Sequence, residues 1–174
     1  MAYLTESKIL NYKHNQSLIR LAESKSATKA AARVKVFLSH SHQDRALVEG
    51  ARRFLEIHGS DIYVDWQDGE MPEQTSRETA TRLKNKIKDL KKVVLLASEN
   101  SKESKWVPWE LGYGEGVNGL SSVAILAVLP DNVELLKGTE YVSAYPFIEE
   151  DQRGPIVRNP MNATTQLLTD WLKQ

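Results

Sequence analysis

The chain has no cysteine. That removes disulfide frameworks, thiolate metal sites and cysteine nucleophiles from the possible functions, and it fits a reducing compartment, by default the cytoplasm. Charge of one sign is also lacking: 23 basic and 23 acidic residues give a formal net charge of zero. No global field therefore draws the chain to nucleic acid or to an anionic membrane. Long hydrophobic runs are missing. The opening segment, MAYLTESKILNYKHNQSL, carries no apolar h-region, and a run such as Val123 to Leu129 is far too short to span a membrane. Glycine motifs for phosphates are absent too, since no GxxxxGK followed by Ser or Thr occurs. Gly112-Tyr-Gly-Glu-Gly116 mimics part of a dinucleotide fingerprint but falls late in a predicted helix, not after a strand, and is discounted.

What is present fits one core. A chain of 174 residues supports one domain with an appendage. Residues 1–32 contain neither Gly nor Pro and read as one or two helices, an N-terminal extension to a domain over residues 33–174. Apolar runs and helical patterns then alternate. Val34–Leu38 is a strand, Leu47 to Ile57 a helix, Asp61–Asp65 a second strand, and Trp66 to Thr75 a long loop. A helix with Ala80, Leu83, Ile87 and Leu90 on one face leads to the strand Val93–Ala97. A helix from Trp106 to about Val117 leads to the strand Val123–Leu129. Tyr141-Val142-Ser143 reads as a short fifth strand and Ala163 to Leu172 as a terminal helix. Strands that are apolar throughout are buried on both faces, and strands spaced by helices imply right-handed crossovers. The fold class is therefore a doubly wound α/β parallel sheet.

In such a sheet, ligands bind outside the carboxyl ends of the strands. The loops Ser39–Asp44, Trp66–Thr75, Ser98–Lys105 and the one from Pro130 onward are thus the candidates. A response-regulator receiver would need an acidic pair after the first strand, where this chain has Ser39-His40.

The segments VFLSHSHQD (36–44), IYVDW (62–66) and VVLLASENSKESKWVPWELG (93–112) together resemble bacterial Toll/interleukin-receptor (TIR) domains in order and spacing. The resemblance covers roughly residues 34–129 and implies a flavodoxin-like sheet of about five strands. In many bacterial and plant members it also implies cleavage of the nicotinamide–ribose bond of NAD, which is a substrate and not a bound cofactor. Trp106 to Glu110 is similar to the family's catalytic segment, so Glu110 inherits the catalytic role. The position agrees with this on independent grounds. Pro108 is tolerated only in a helix's first turn, which places Glu110 near the strand-end crevice, where the helix dipole favours an ionised carboxylate. Such an anion suits the oxocarbenium character that grows as an N-glycosidic bond breaks. The competing use of Glu110 is dipole stabilisation alone.

The resemblance further assigns substrate contacts to Ser39, His40 and His42 in the first loop, and gating and assembly to the loop after Asp65 and Trp66, which end the second strand. Asp65 and Trp66 are themselves candidate substrate contacts, and the rings of Trp106 and Trp109 suit stacking on nicotinamide or adenine. Each has a structural alternative. Ser41 or Asp44 can simply cap the next helix, Asp65 the following loop, and tryptophans spaced three apart are commonly core. Two histidines at i and i+2, with only His14 and His58 elsewhere, give no expectation of a metal. The Pro-containing box of animal signalling members is not reproduced around Pro72, and the architecture resembles the signal-producing component of Thoeris-type anti-phage defence. The partners implied are NAD, other TIR surfaces through self-association, and an effector reached by a nucleotide product. The alternatives are a non-enzymatic TIR assembly module or an enzyme like the nucleoside deoxyribosyltransferases.

Overall fold

Apolar runs without alternation form the centre of the sheet. The structure, a computed structural model, describes residues 3–28, 33–69, 76–133 and 143–174. Strands β4 (Lys92–Ala97) and β5 (Val123–Leu129) are buried at every position. Successive strand residues point to opposite faces, so the same runs supply two cores. Val94, Leu96, Ala124 and Leu126 enter one; Val93, Leu95, Val123 and Ile125 enter the other.

Strands β2 (Val34–Ser39), β3 (Ser60–Tyr63) and β6 (Phe147–Asp151) join them in the parallel order β3-β2-β4-β5-β6. Helix α3 (Arg45–Ile57) covers the first face with Val48, Ala51, Phe54 and Leu55. Helices α4 (Arg77–Leu90) and α5 (Trp106–Asn118) cover the second with Leu83, Ile87, Val107 and Leu111. Helix α4 opens on a capping box between Ser76 and Thr79, which satisfies two otherwise orphaned amides. From β2 the chain winds first to β3 on one side and then to β4 on the other. The crevice at the carboxyl ends of β2 and β4 is therefore the topological switch point, where open α/β sheets bind ligands.

The N-terminal segment forms two helices, α1 (Glu6–His14) and α2 (Gln16–Thr28), and docks against this core. Strand β1 (Leu4–Thr5) pairs with the last residues of β5, Leu4 opposite Val128, and Thr5 caps α1. Ile9 is fully buried. Close approach of α1 to α3 requires Gly50, because a Cβ there would stand 2.2 Å from the Ile9 carbonyl oxygen.

Three expectations need correction. The strand that continues the parallel sheet beyond β5 is Phe147–Asp151, and Ser143 of the expected fifth strand lies in a short helical turn; Tyr141 and Val142 fall outside the described residues. The segment Ala163 to Leu172 is not one helix but β8 (Thr165–Leu167) followed by the single turn α6 (Leu168–Trp171). Its apolar spacing fits a helix only from Leu168 onward, and the residues before it find ladder partners on β7 (Gly154–Arg158). With β1, β7 and β8 the sheet has eight strands, the five parallel ones extended by an antiparallel pair. The second strand ends at Tyr63, and Asp65 stands in the 3-10 turn Asp65–Gln67 beyond it. Among the described residues no helix is long and apolar enough to cross a membrane.

Candidate active site

Ser39 is the last residue of β2, and Glu110 lies on the inward side of α5, the helix that follows β4. The topology brings them together at the switch point, where the Ser39 hydroxyl donates to Glu110 Oε2 at 2.5 Å. Both are closed off, Ser39 being 1% and Glu110 4% exposed. Pro108 is the third residue of α5, a position whose amide needs no helical partner. Glu110 is the fifth, beyond the turn where the dipole acts strongly. Here the structure corrects the expectation of an ionised carboxylate. Burial pushes the Glu110 carboxyl up to about 8, opposed by the Ser39 hydrogen bond and reinforced by the negative charge of Asp65. Desolvation outweighs the dipole, so the closed site holds a neutral acid at neutral pH.

His40 follows Ser39 and is also buried. Its Nδ1 bonds the Leu38 carbonyl at 2.9 Å, while Nε2 stands 3.5 Å from Asp65 Oδ1, buried and without a hydrogen-bond partner. Asp65 favours the charged imidazole, but burial is the larger effect and holds the His40 pKa below its ordinary value. His40 is therefore a neutral ring facing a carboxylate, not one half of an ion pair. Asp65 Oδ1 also accepts the Trp66 amide at 2.8 Å, so it caps its own turn. His42 is exposed, and its ring lies 6.0 Å from that of His40, nearly perpendicular to it. The donor atoms of His40, His42 and Asp65 lie within 4.8 Å of one another.

A second buried network braces the neighbouring loop. Asp44 accepts from Ser98 Oγ at 2.5 Å and from Asn100 Nδ2 at 2.6 Å. Ser98 and Ser101 exchange bonds, each amide donating to the other's hydroxyl at 3.1 Å. Ser41 caps the turn His42–Asp44 by accepting the Gln43 amide, whereas Asp44 makes no cap bond. Sequence reading missed Ser98, Ser101 and Asn100. Their only signal is a hydroxyl- and amide-rich segment directly after an apolar strand.

The tryptophans are arranged otherwise. Trp106 and Trp109 are half-buried and meet edge to face at 5.3 Å. Trp109 stacks on Tyr113 at 5.7 Å with the Lys84 ammonium 5.9 Å from its ring, so these side chains form a ladder along α5. Trp66 packs against the α3 core, with the Arg45 guanidinium 5.4 Å from its ring centroid. Gly114 faces β4 closely, since a Cβ would come within 2.8 Å of Val93, whereas Gly112 and Gly116 face open space. Of the glycine run, Gly114 thus serves helix–sheet packing.

The family model described as TIR domain matches residues 36–154, which takes in β2, the Ser39 loop, α5 with Glu110 and the parallel sheet through β6. The chain belongs to the TIR domain family. A likeness over most of both chains agrees: the "Probable 3' cyclic ADP-D-ribose synthase ThsB'" of Bacillus cereus (strain MSX-D12) is 32% identical over 163 residues, 85% of this chain and 83% of that protein. The "Putative cyclic ADP-D-ribose synthase TIR2" of Cytobacillus dafuensis is 35% identical over 81 residues, 45% of this chain but only 21% of that protein. As TIR domains go, this one meets the ThsB' relative beyond the family match itself, because 85% of the chain exceeds the span 36–154.

Proposed function

We propose that this TIR domain breaks the nicotinamide–ribose bond of NAD and converts the ADP-ribose part into a cyclic or otherwise modified signalling nucleotide that a separate effector of bacterial anti-phage defence reads. The observation that carries this reading is the buried Glu110 carboxyl, hydrogen-bonded to Ser39 at the switch point of the sheet. When the glycosidic bond breaks, its electron pair returns to the pyridinium nitrogen and nicotinamide leaves neutral. The ribose C1 is left with oxocarbenium character, which an adjacent carboxylate stabilises. A hydroxyl of the same molecule or water then bonds to C1 and loses its proton, giving a cyclic or a linear product. The names of both relatives favour ring closure.

A neutral Glu110 must ionise to serve this step, and the substrate itself supplies the means. The nicotinamide ring of NAD carries a positive charge, and an opposite charge within a few ångströms lowers a carboxyl pKa. Binding therefore converts the resting acid to its working form. Ser39 orients the carboxyl, and the loop from Ser39 to Asp44, followed by the amino end of α3, offers hydroxyl, imidazole and amide donors to ribose and phosphate. At 4% exposure Glu110 meets substrate only after its cover shifts. Self-association through TIR surfaces is the trigger we assign to that opening.

The test is incubation of purified protein with NAD, dispersed and after induced assembly, with chromatography of nicotinamide and of the nucleotide product. Release by wild type and none by Glu110→Gln is expected. No release in either state, or undiminished release by the folded variant, sinks the reading.

A further inference from the structure

The end of β2 and the turn after β3, beside the substrate loop, bring together nitrogen and oxygen donors that the bond-breaking step at Glu110 does not itself use. We propose that His40, His42 and Asp65 form a binding site for a divalent transition metal of the zinc class. His40 Nδ1 is engaged by the Leu38 carbonyl at 2.9 Å, which makes it the donor and leaves the lone pair on Nε2. That nitrogen is buried, has no hydrogen-bond partner and stands 3.5 Å from Asp65 Oδ1. Although Asp65 is partly exposed and also accepts the Trp66 amide, its oxygen and the buried imidazole nitrogen are two acceptors face to face, and they repel unless something positive lies between them.

The arrangement matches what a metal demands. A metal-bound histidine usually donates its second ring N–H to a backbone carbonyl or a carboxylate, which fixes its tautomer and aim, and His40 already does so. A tetrahedral zinc, about 2.0–2.2 Å from each donor, sets those donors roughly 3.3 Å apart. The His40–Asp65 separation of 3.5 Å meets that spacing as it stands. The donors of all three residues already lie within 4.8 Å, and His42, being exposed, is free to swing its ring inward. Two imidazoles and one carboxylate select zinc and its neighbours over magnesium or calcium, which favour all-oxygen shells. Three protein ligands leave the fourth position to water.

Calorimetric titration of metal-free full-length protein with zinc chloride, with magnesium chloride as control, tests the site. One zinc per chain and no saturable magnesium binding are expected. His42→Ala and Asp65→Asn should each weaken zinc by about tenfold or more, since loss of a direct ligand costs at least what loss of an outer-shell partner does. Cobalt added in place of zinc should give visible absorption bands that His42→Ala diminishes. His42 is exposed, so its replacement leaves the fold intact, whereas His40→Ala would empty a buried position; circular dichroism checks each variant. Absence of saturable zinc binding, or wild-type zinc affinity in both His42→Ala and Asp65→Asn, overturns the proposal. No NAD enters the experiment, so its result is independent of the nucleotide chemistry.

Discussion

Both ends of the sheet bury polar groups, and they do so to different effect. At the amino end Lys92 is buried, with its ammonium 4.3 Å from the Trp171 ring centroid and donating to the Ser121 carbonyl at 3.2 Å. The Trp171 indole donates to the same carbonyl at 2.8 Å. A cavity of about 280 Å³ opens beside them, lined by Ser121, Pro146, Thr165 and Trp171 among others. At the carboxyl end a carboxyl is held neutral and an imidazole nitrogen is left without a partner. The amino-end groups satisfy one another, as packing requires. The carboxyl-end groups are left in states that cost free energy, and perturbed, poorly satisfied titratable groups mark chemistry better than empty space does.

The comparison is broken most directly at Glu110. Glu110→Gln keeps the shape and an acceptor for Ser39 but removes the anion. Nicotinamide release should fall by about a thousandfold, the scale of losing one preorganised electrostatic group at a reacting centre. The pH dependence sharpens this. In free enzyme kcat/KM should rise with pH and level off above about 8 as the carboxyl ionises. A flat profile from pH 6 to 9 would mean that Glu110 is not the ionising group.

Stability provides the next contrast, and its sign is fixed by the direction of the shift. The Glu110 pKa is raised from 4.5 to about 8. Below the lower value the carboxyl is protonated folded or unfolded. Between the two values only the unfolded chain releases the proton, so stability falls as pH rises. Above about 8 the loss is complete, on the order of 5 kcal/mol. Denaturant titrations should show Glu110→Gln gaining on wild type steadily from pH 5 to 8. A constant difference across that range would contradict the raised pKa.

Much of this was legible before folding and part of it was not. Continuous apolar runs marked β2, β4 and β5 because burial on both faces leaves no room for alternation. The proximity of Ser39 and Glu110 follows from the winding order alone. The fifth strand was misplaced because Phe147-Ile-Glu-Glu-Asp151 is acidic, and only in the fold does Arg158 of β7 reach the buried Glu149. The protonation of Glu110 was read wrongly because helix position is visible in a sequence and desolvation is not. The histidine spacing concealed a cluster because its third member, Asp65, arrives from the turn after the neighbouring strand.

The brace behind the site is the next place to press. Asp44→Ala deprives the buried Ser98 hydroxyl and the exposed Asn100 amide of their shared acceptor. An orphaned buried donor costs about 1–3 kcal/mol, and because Asn100 can turn to water the Ser98 hydroxyl alone is stranded, so a loss of roughly 1–2 kcal/mol is expected in denaturant unfolding. Asp44→Asn retains an acceptor oxygen and should lose less. Equal losses in the two variants would mean that Asp44 serves packing and not the network.

The smallest effect is predicted at the amino end, where the comparison says that polarity is structural. Lys92→Met keeps the aliphatic bulk against Trp171 and removes a charge whose burial already lowers its pKa. The Ser121 carbonyl keeps its bond from the Trp171 indole, so no buried acceptor is stranded. Replacing a buried charge by an apolar chain of similar volume is often neutral or stabilising. Unfolding free energy should therefore change by no more than about 1 kcal/mol in either direction, and nicotinamide release should be unaltered. A tenfold loss of release in a variant of undiminished stability would show that the amino end takes part in the chemistry, and the division between the two ends would fail.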